Sequence, residues 1–170
     1  MIFNQSRFSM VPLGPLNFSL AKALLEERWG GDFIVSLGKI NLLKELEGYL
    51  AWVEDEIVGL VTFTQTENSL QIVSMDSFRD GIGVGKALND AAVQTAKQRK
   101  CTRIWLVITN DNLEGLQFYQ KRGWNMKALH LNSMIEARII KPAIPLTAEN
   151  GIRILHEIEI EINLEIQDKS

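Results

Sequence analysis

The chain has 170 residues, a formal net charge of −3, 46% apolar and 23% charged residues. That length fits one domain, residues 1–170, with material for a sizeable core. The acidic balance excludes an overall basic surface of the kind that draws in nucleic acid. A single cysteine, Cys101, allows no internal disulfide. No apolar run approaches the roughly eighteen residues of a membrane span, and no secretory leader is visible. The expectation is a cytoplasmic protein without membrane or nucleic-acid partners.

In chain order, "FSMVPL" reads as a short strand. "LNFSLAKALLEERWGG" carries Leu16, Leu20, Ala23 and Leu24 at helical spacing and is stopped by Gly30 and Gly31. "DFIVSLG" is a short extended piece, and "INLLKELEG" is expected to be a short helix ending at Gly48. Residues 49–53, 57–65 and 70–75 are three apolar runs joined by polar turns, an antiparallel meander. Residues 83–100 form a helix whose face of Val84, Leu88, Ala91, Ala92, Thr95 and Ala96 is small and apolar, suited to close packing on a sheet. Its "KQRK" terminus places cations where the helix dipole favours them.

"TRIWLVIT" reads as a buried strand, "NLEGLQFYQKRG" as a helix closed by Gly123, "WNMKALHL" as a strand and "SMIEARII" as a helix. In the tail, Ile158, Ile160, Ile162, Leu164 and Ile166 alternate with Glu157, Glu159, Glu161 and Glu165, a strand with one wet, acidic face. Its apolar face needs a partner, within the chain or across a homodimer. The whole is an α/β domain with a mixed central sheet, antiparallel in its N-terminal half, with helices on both faces.

Chemistry concentrates in "DGIGVGK", residues 80–86, between a strand and a helix. Glycines there let backbone N–H groups converge, and a helix N-terminus adds positive potential, so the loop suits a phosphate; a plain tight turn is the bland reading. The P-loop pattern fails at Asp80 and Ala87, and the dinucleotide fingerprint fails at Lys86 or Leu88. Cys101, before an apolar strand, reads as a small buried residue; neither His130 nor His156 is tied to it by pattern.

Downstream, "TNDNLEGLQFYQKRGW" resembles the pantetheine-side motif of the GNAT superfamily of N-acetyltransferases, with Asn112, Tyr119, Gly123 and Trp124 at its marked positions. Gly83 and Gly85 match that family's Gln/Arg-x-x-Gly-x-Gly/Ala loop, whose Gln/Arg position is Asp80 here. The two motifs occur in the family's order, and the resemblance covers roughly residues 49–131. The tail also looks like that of small bacterial members.

The resemblance implies acetyl-CoA as acyl donor, with its pyrophosphate on the amides of Gly81, Ile82, Gly83, Val84, Gly85 and Lys86. The strand backbone from Val73 to Met75 would face the acyl-pantetheine, and Asn112 would stand beside it. Tyr119 would protonate the leaving thiolate; packing between helix and sheet is its plainer reading, as capping is for Asn112. Asp76 and Glu67 are the candidate bases, with a solvated carboxylate as the plainer reading of each and a water chain to a remote carboxylate as the alternative. Gln71 stands where an acid would be useful, but an amide cannot serve as a base. The acceptor would be a small-molecule or peptide amine, chosen by the region of Trp29 to Gly31, Tyr49 and Trp52. Core packing is the other reading of these aromatics and the plainer one for Trp52, which lies within a strand. No metal is implied. A second reading is a GNAT-fold protein that binds acyl-CoA without catalysis, as a sensor or regulator; a nucleotide-binding domain is disfavoured by the failed loop patterns.

Overall fold

A computed structural model describes residues 3–5 and 7–167. Strands β1 (Phe3–Gln5), β2 (Phe8–Pro12), β5 (Glu47–Val53), β6 (Glu56–Thr66), β7 (Ser69–Ser77), β8 (Arg103–Thr109), β9 (Asn125–His130) and β10 (Glu157–Asn163) form one mixed sheet, and β3 (Phe33–Ser36) pairs with β4 (Lys39–Leu42) apart from it. The order in the main sheet is β1-β2-β5-β6-β7-β8-β10-β9. Neighbours are antiparallel except β7 and β8, which run parallel. Helix α1 (Phe18–Trp29) and the β3–β4 hairpin cover one face, and α2 (Val84–Gln98) and α3 (Leu113–Gln120) the other. Two short helices, α4 (Ser133–Ile140) and α5 (Leu164–Gln167), flank the last strand.

The small face expected of α2 packs as anticipated: Val84, Leu88, Ala91, Ala92, Thr95 and Ala96 are all buried. Close approach also needs a small residue opposite. A Cβ on Gly59 of β6 would meet Val84 Cγ1 at 2.6 Å and Leu88 Cδ1 at 2.8 Å, so only glycine leaves room for the helix.

Three local expectations are corrected. The buried stripe of α1 is Ala21 and Leu25 with Phe18 and Leu24 packed on it; Leu16 is fully exposed and Leu20 is 45% exposed, because the sheet meets the helix one residue round from the predicted face. "INLLKELEG" is not a helix: Leu37 and Gly38 take positive φ values of 49° and 74°, the hairpin turn that folds β4 back on β3, and only Leu43–Glu45 make a single 3₁₀ turn before β5.

The third correction concerns the tail. It is an inner strand, inserted between β8 and β9, and its acidic face is not wet. Glu157 is buried, while Arg103 binds both Glu159 and Glu161. Ile158, Ile160 and Ile162 join the core within the same chain, which satisfies that face without a second copy. The Ile166 side chain lies outside the described residues. The start of β10 is held by Asn110, whose Oδ1 accepts the Leu155 and His156 amides at 2.9 Å each. Cys101 is buried, and burial raises its thiol above the usual range.

Candidate active site

Strands β7 and β8 pair only through Ser69–Arg103, Leu70–Ile104 and Gln71–Trp105, then part. Beyond Gln71 the β8-facing backbone of β7 is left out of any ladder, and a wedge opens toward the C-terminal ends of both strands. Such a gap beside the carboxyl ends of parallel strands is where α/β sheets receive ligands.

A β-bulge in β7 decides what lines the wedge. Thr62 pairs with Ser74 and Phe63 with Ile72, which leaves Val73 as the extra residue. Val73 and Ser74 therefore share the α1 face, and the alternation resumes one residue later. Met75 turns to the α2–α3 side and Asp76 to the α1 side. Without the bulge these two would be exchanged.

Tyr119, on α3, is buried, and its hydroxyl lies 3.8 Å from Met75 Sδ, across the mouth of the wedge. Burial, with Asp76 adding repulsion, holds the phenol's proton well above the ordinary tyrosine range. Its ring packs edge-on against Trp124 at 5.2 Å between centroids, and Trp124 Nε1 donates to Asn89 on α2 at 3.1 Å. The Gly-Trp end of the motif is thus the support that fixes the tyrosine. Asn112 caps α3, accepting the Gly115 amide at 2.9 Å.

Asp76 is buried on the opposite face. Trp29 Nε1 donates to its Oδ2 at 2.8 Å and Arg28 Nε to its Oδ1 at 3.3 Å. Burial raises its carboxyl above the usual aspartate value, against the pull of the indole and the guanidinium. Glu67 lies exposed in the β6–β7 turn, at the closed end of the wedge and at the other end of β7 from Asp76. Gln71 Nε2 donates to Ser36 Oγ on the hairpin at 3.2 Å.

The glycine loop leads into α2. Gly81 and Gly83 have φ of 75° and 88°, and a Cβ on either would meet nothing within 4 Å, so it is conformation that demands glycine there. Gly83 is the N-cap, and no side chain caps the helix, which leaves its first amides to a ligand or water. A Cβ on Gly85 would touch Phe118 of α3 at 3.2 Å, so this glycine serves helix packing. The Lys86 ammonium is engaged by Asp90 at 2.6 Å, and Arg79 pairs with Glu56 at 3.4 Å. Asp80 is exposed and lines a cleft of about 480 Å³ with Glu27, Arg28, Ser77 and Phe78.

Among the aromatic residues expected near the acceptor, Trp29 contacts the site through Asp76. Tyr49 does not: its hydroxyl bonds Thr95 at 2.8 Å inside the core. Trp52 packs beneath α1. Among the described residues, no cluster of histidine, cysteine and carboxylate side chains is arranged to hold a metal ion, and no helix is long and apolar enough to cross a membrane.

A mixed sheet split between two parallel strands, with an uncapped glycine-rich helix start on one side of the opening and a buried tyrosine on the other, defines an acyltransferase architecture. The family model "Acetyltransferase (GNAT) family" matches residues 19–124, and the chain belongs to that family. The chain is 39% identical to the uncharacterised protein YdhI of Bacillus subtilis (84% of this chain, 92% of the relative) and 36% identical to YxbD of the same organism (88% and 95%). Two solved structures share the fold at 20% identity. A GNAT family acetyltransferase from Elizabethkingia anophelis with acetyl-CoA bound gives a TM-score of 0.68 (94% of this chain, 100% of that one). A Bacillus subtilis acetyltransferase in complex with CoA gives 0.66 (93% and 98%).

Proposed function

We propose that the protein is an N-acetyltransferase that moves the acetyl group of acetyl-CoA directly to an amine on a small molecule or peptide. The observation that carries this reading is the Tyr119 hydroxyl standing against Met75 at the mouth of the wedge. The acyl-pantetheine arm lies in the wedge along the free backbone of Val73 to Met75, with Asn112 beside it at the start of α3. The pyrophosphate meets the amides of residues 81–86, where helix dipole and backbone N–H groups favour an anion. Since Asp90 holds the Lys86 ammonium, residue 86 contributes its amide.

In this reading Asp76 takes a proton from the acceptor's ammonium. Its raised proton affinity brings a carboxylate closer to the range useful in a base near neutral pH. The amine nitrogen then bonds to the thioester carbonyl carbon, and the C–S bond breaks with its electron pair leaving on sulfur. The nitrogen sheds its surplus proton, whose equivalent returns through water to Tyr119 once that residue has protonated the thiolate, while Asp76 releases its own proton to solvent. Tyr119 stays protonated until that moment and donates to the forming thiolate. A buried thiolate holds a proton more tightly for the same reason that a buried phenolate does, so the transfer is better matched than the values in water suggest. A buried proton donor at the mouth of the wedge supports transfer over simple acyl-CoA binding.

The test combines calorimetry against acetyl-CoA, CoA and ATP with thiol release over a panel of amines. Acetyl-CoA binding that a folded Gly83→Asp variant loses, and CoA release with at least one amine, are expected. Tight binding of ATP in place of acetyl-CoA would overturn the reading.

A further inference from the structure

Glu157 opens β10 and is 3% exposed. Its Oε2 accepts the Leu37 amide at 3.2 Å, while its Oε1 is buried with no hydrogen-bond partner among the described residues. A buried carboxylate is costly unless a cation or a full set of hydrogen bonds offsets its lost hydration. Basic side chains on the neighbouring elements bond other groups. Arg103 binds Glu159 and Glu161, and Lys127 reaches Glu161. His130 Nε2 meets Glu159 at 3.1 Å, and Lys141 Nζ donates to the Phe33 carbonyl.

The position of Glu157 gives this oxygen a use. Glu157 pairs with Thr109, and continuing the β7–β8 register past Gln71–Trp105 brings Met75 and Asp76 level with Thr109. Asp76, the wedge, Thr109 and Glu157 thus lie in one row across the sheet. Ile158, Ile160 and Ile162 take the α2 side, so Glu157 is on the same face as Asp76 and Gln71. One hairpin spans that face: Ser36 bonds Gln71 of β7, and the next residue, Leu37, bonds Glu157 of β10. A groove of about 580 Å³ beside this turn has Leu37 and His130 in its wall, with Glu136 exposed on its rim.

We propose that Glu157 receives a second ammonium group of the acceptor, so that the preferred acceptor is a diamine or polyamine. This rests on the acetyl-transfer reading above. Asp76 and Glu157 are separated by β8 and the wedge, at least two strand spacings or roughly 10 Å. One nitrogen cannot meet both carboxylates, but two amino groups joined by a methylene chain can: one is acetylated at the wedge, and the other stays charged on Glu157.

The probes are α,ω-diaminoalkanes of three to eight carbons and the monoaminoalkanes of equal length, assayed by CoA release. The longer diamines should exceed their monoamine counterparts by about tenfold or more in kcat/KM, as a charge-assisted contact predicts, mostly through KM. Glu157→Gln keeps an acceptor for the Leu37 amide and loses the charge; it should bring the diamines down to the monoamine values and erase the dependence on chain length. Melting temperature and acetyl-CoA affinity report whether the variant is intact. Diamines no better than monoamines in the parent, or a diamine preference that survives in Glu157→Gln, would overturn the proposal while leaving acetyl transfer standing. Should the variant fail to fold, the parent's diamine-to-monoamine ratio decides alone. Binding of acetyl-CoA with no amine accepted would overturn both readings.

Discussion

The Trp29 indole donates to Asp76 Oδ2 at 2.8 Å, tying the last residue of α1 to the strand that borders the wedge. This bond lowers the proton affinity that burial raises. Trp29→Phe removes the donor and keeps an aromatic ring. The acid limb of the rate–pH profile should therefore move to higher pH, because the carboxylate becomes harder to form. An unmoved limb would take Asp76 out of the base role.

The same group makes a stability prediction. Folded Asp76 keeps its proton to a higher pH than it does in the unfolded chain, so folding is linked to proton uptake between the ordinary aspartate value and the raised one. Its contribution to stability is full below the unfolded value and is lost as pH rises through the folded one. Asp76→Asn should flatten that fall in a pH series of thermal melts. A parental slope in the variant would show that other groups set it.

Tyr119→Phe removes one oxygen and retains the edge contact with Trp124. Loss of a general acid costs about 10²–10⁴-fold in rate, while acetyl-CoA affinity should change little. Turnover and calorimetry on both forms check this. A parental rate would remove Tyr119 from the mechanism, and a joint fall of rate and affinity would make it a cofactor-holding group.

Gly59→Ala should act at a distance. Its Cβ would strike Val84 and Leu88 at the start of α2, and overpacking of this kind costs about 1–3 kcal/mol. A lower melting temperature is expected together with weaker acetyl-CoA binding, since the displaced turn is the one whose amides are proposed to hold the pyrophosphate. Calorimetry and melting on the same sample separate the two effects.

Deleting residues 152 onward removes a strand from between β8 and β9, not an appendage. It strips the cover from Ile104, Leu106 and Ile108 and orphans β9. The truncated chain should aggregate or lose its cooperative melt. A soluble truncation with a sharp melt would contradict the inner position of β10.

Much of this was legible in the chain. The meander, the small face of α2, the glycine turn and the Asn112–Tyr119–Trp124 spacing are local patterns, in which periodicity and turn chemistry express themselves within a few residues. Length, charge and the failed nucleotide-loop patterns narrow the function from the sequence alone. What only tertiary structure decided depends on contacts between distant segments. The bulge at Val73 has no sequence mark, yet it sets which way Met75 and Asp76 point. The reason for Gly59 lies in α2, and the partner of Asp76 lies in α1, 47 residues upstream. The alternating glutamates of the tail read as a wet face because alternation reports two faces, not which is covered; the insertion of β10 beside β8 and the hairpin above it buried Glu157 and brought it level with the wedge.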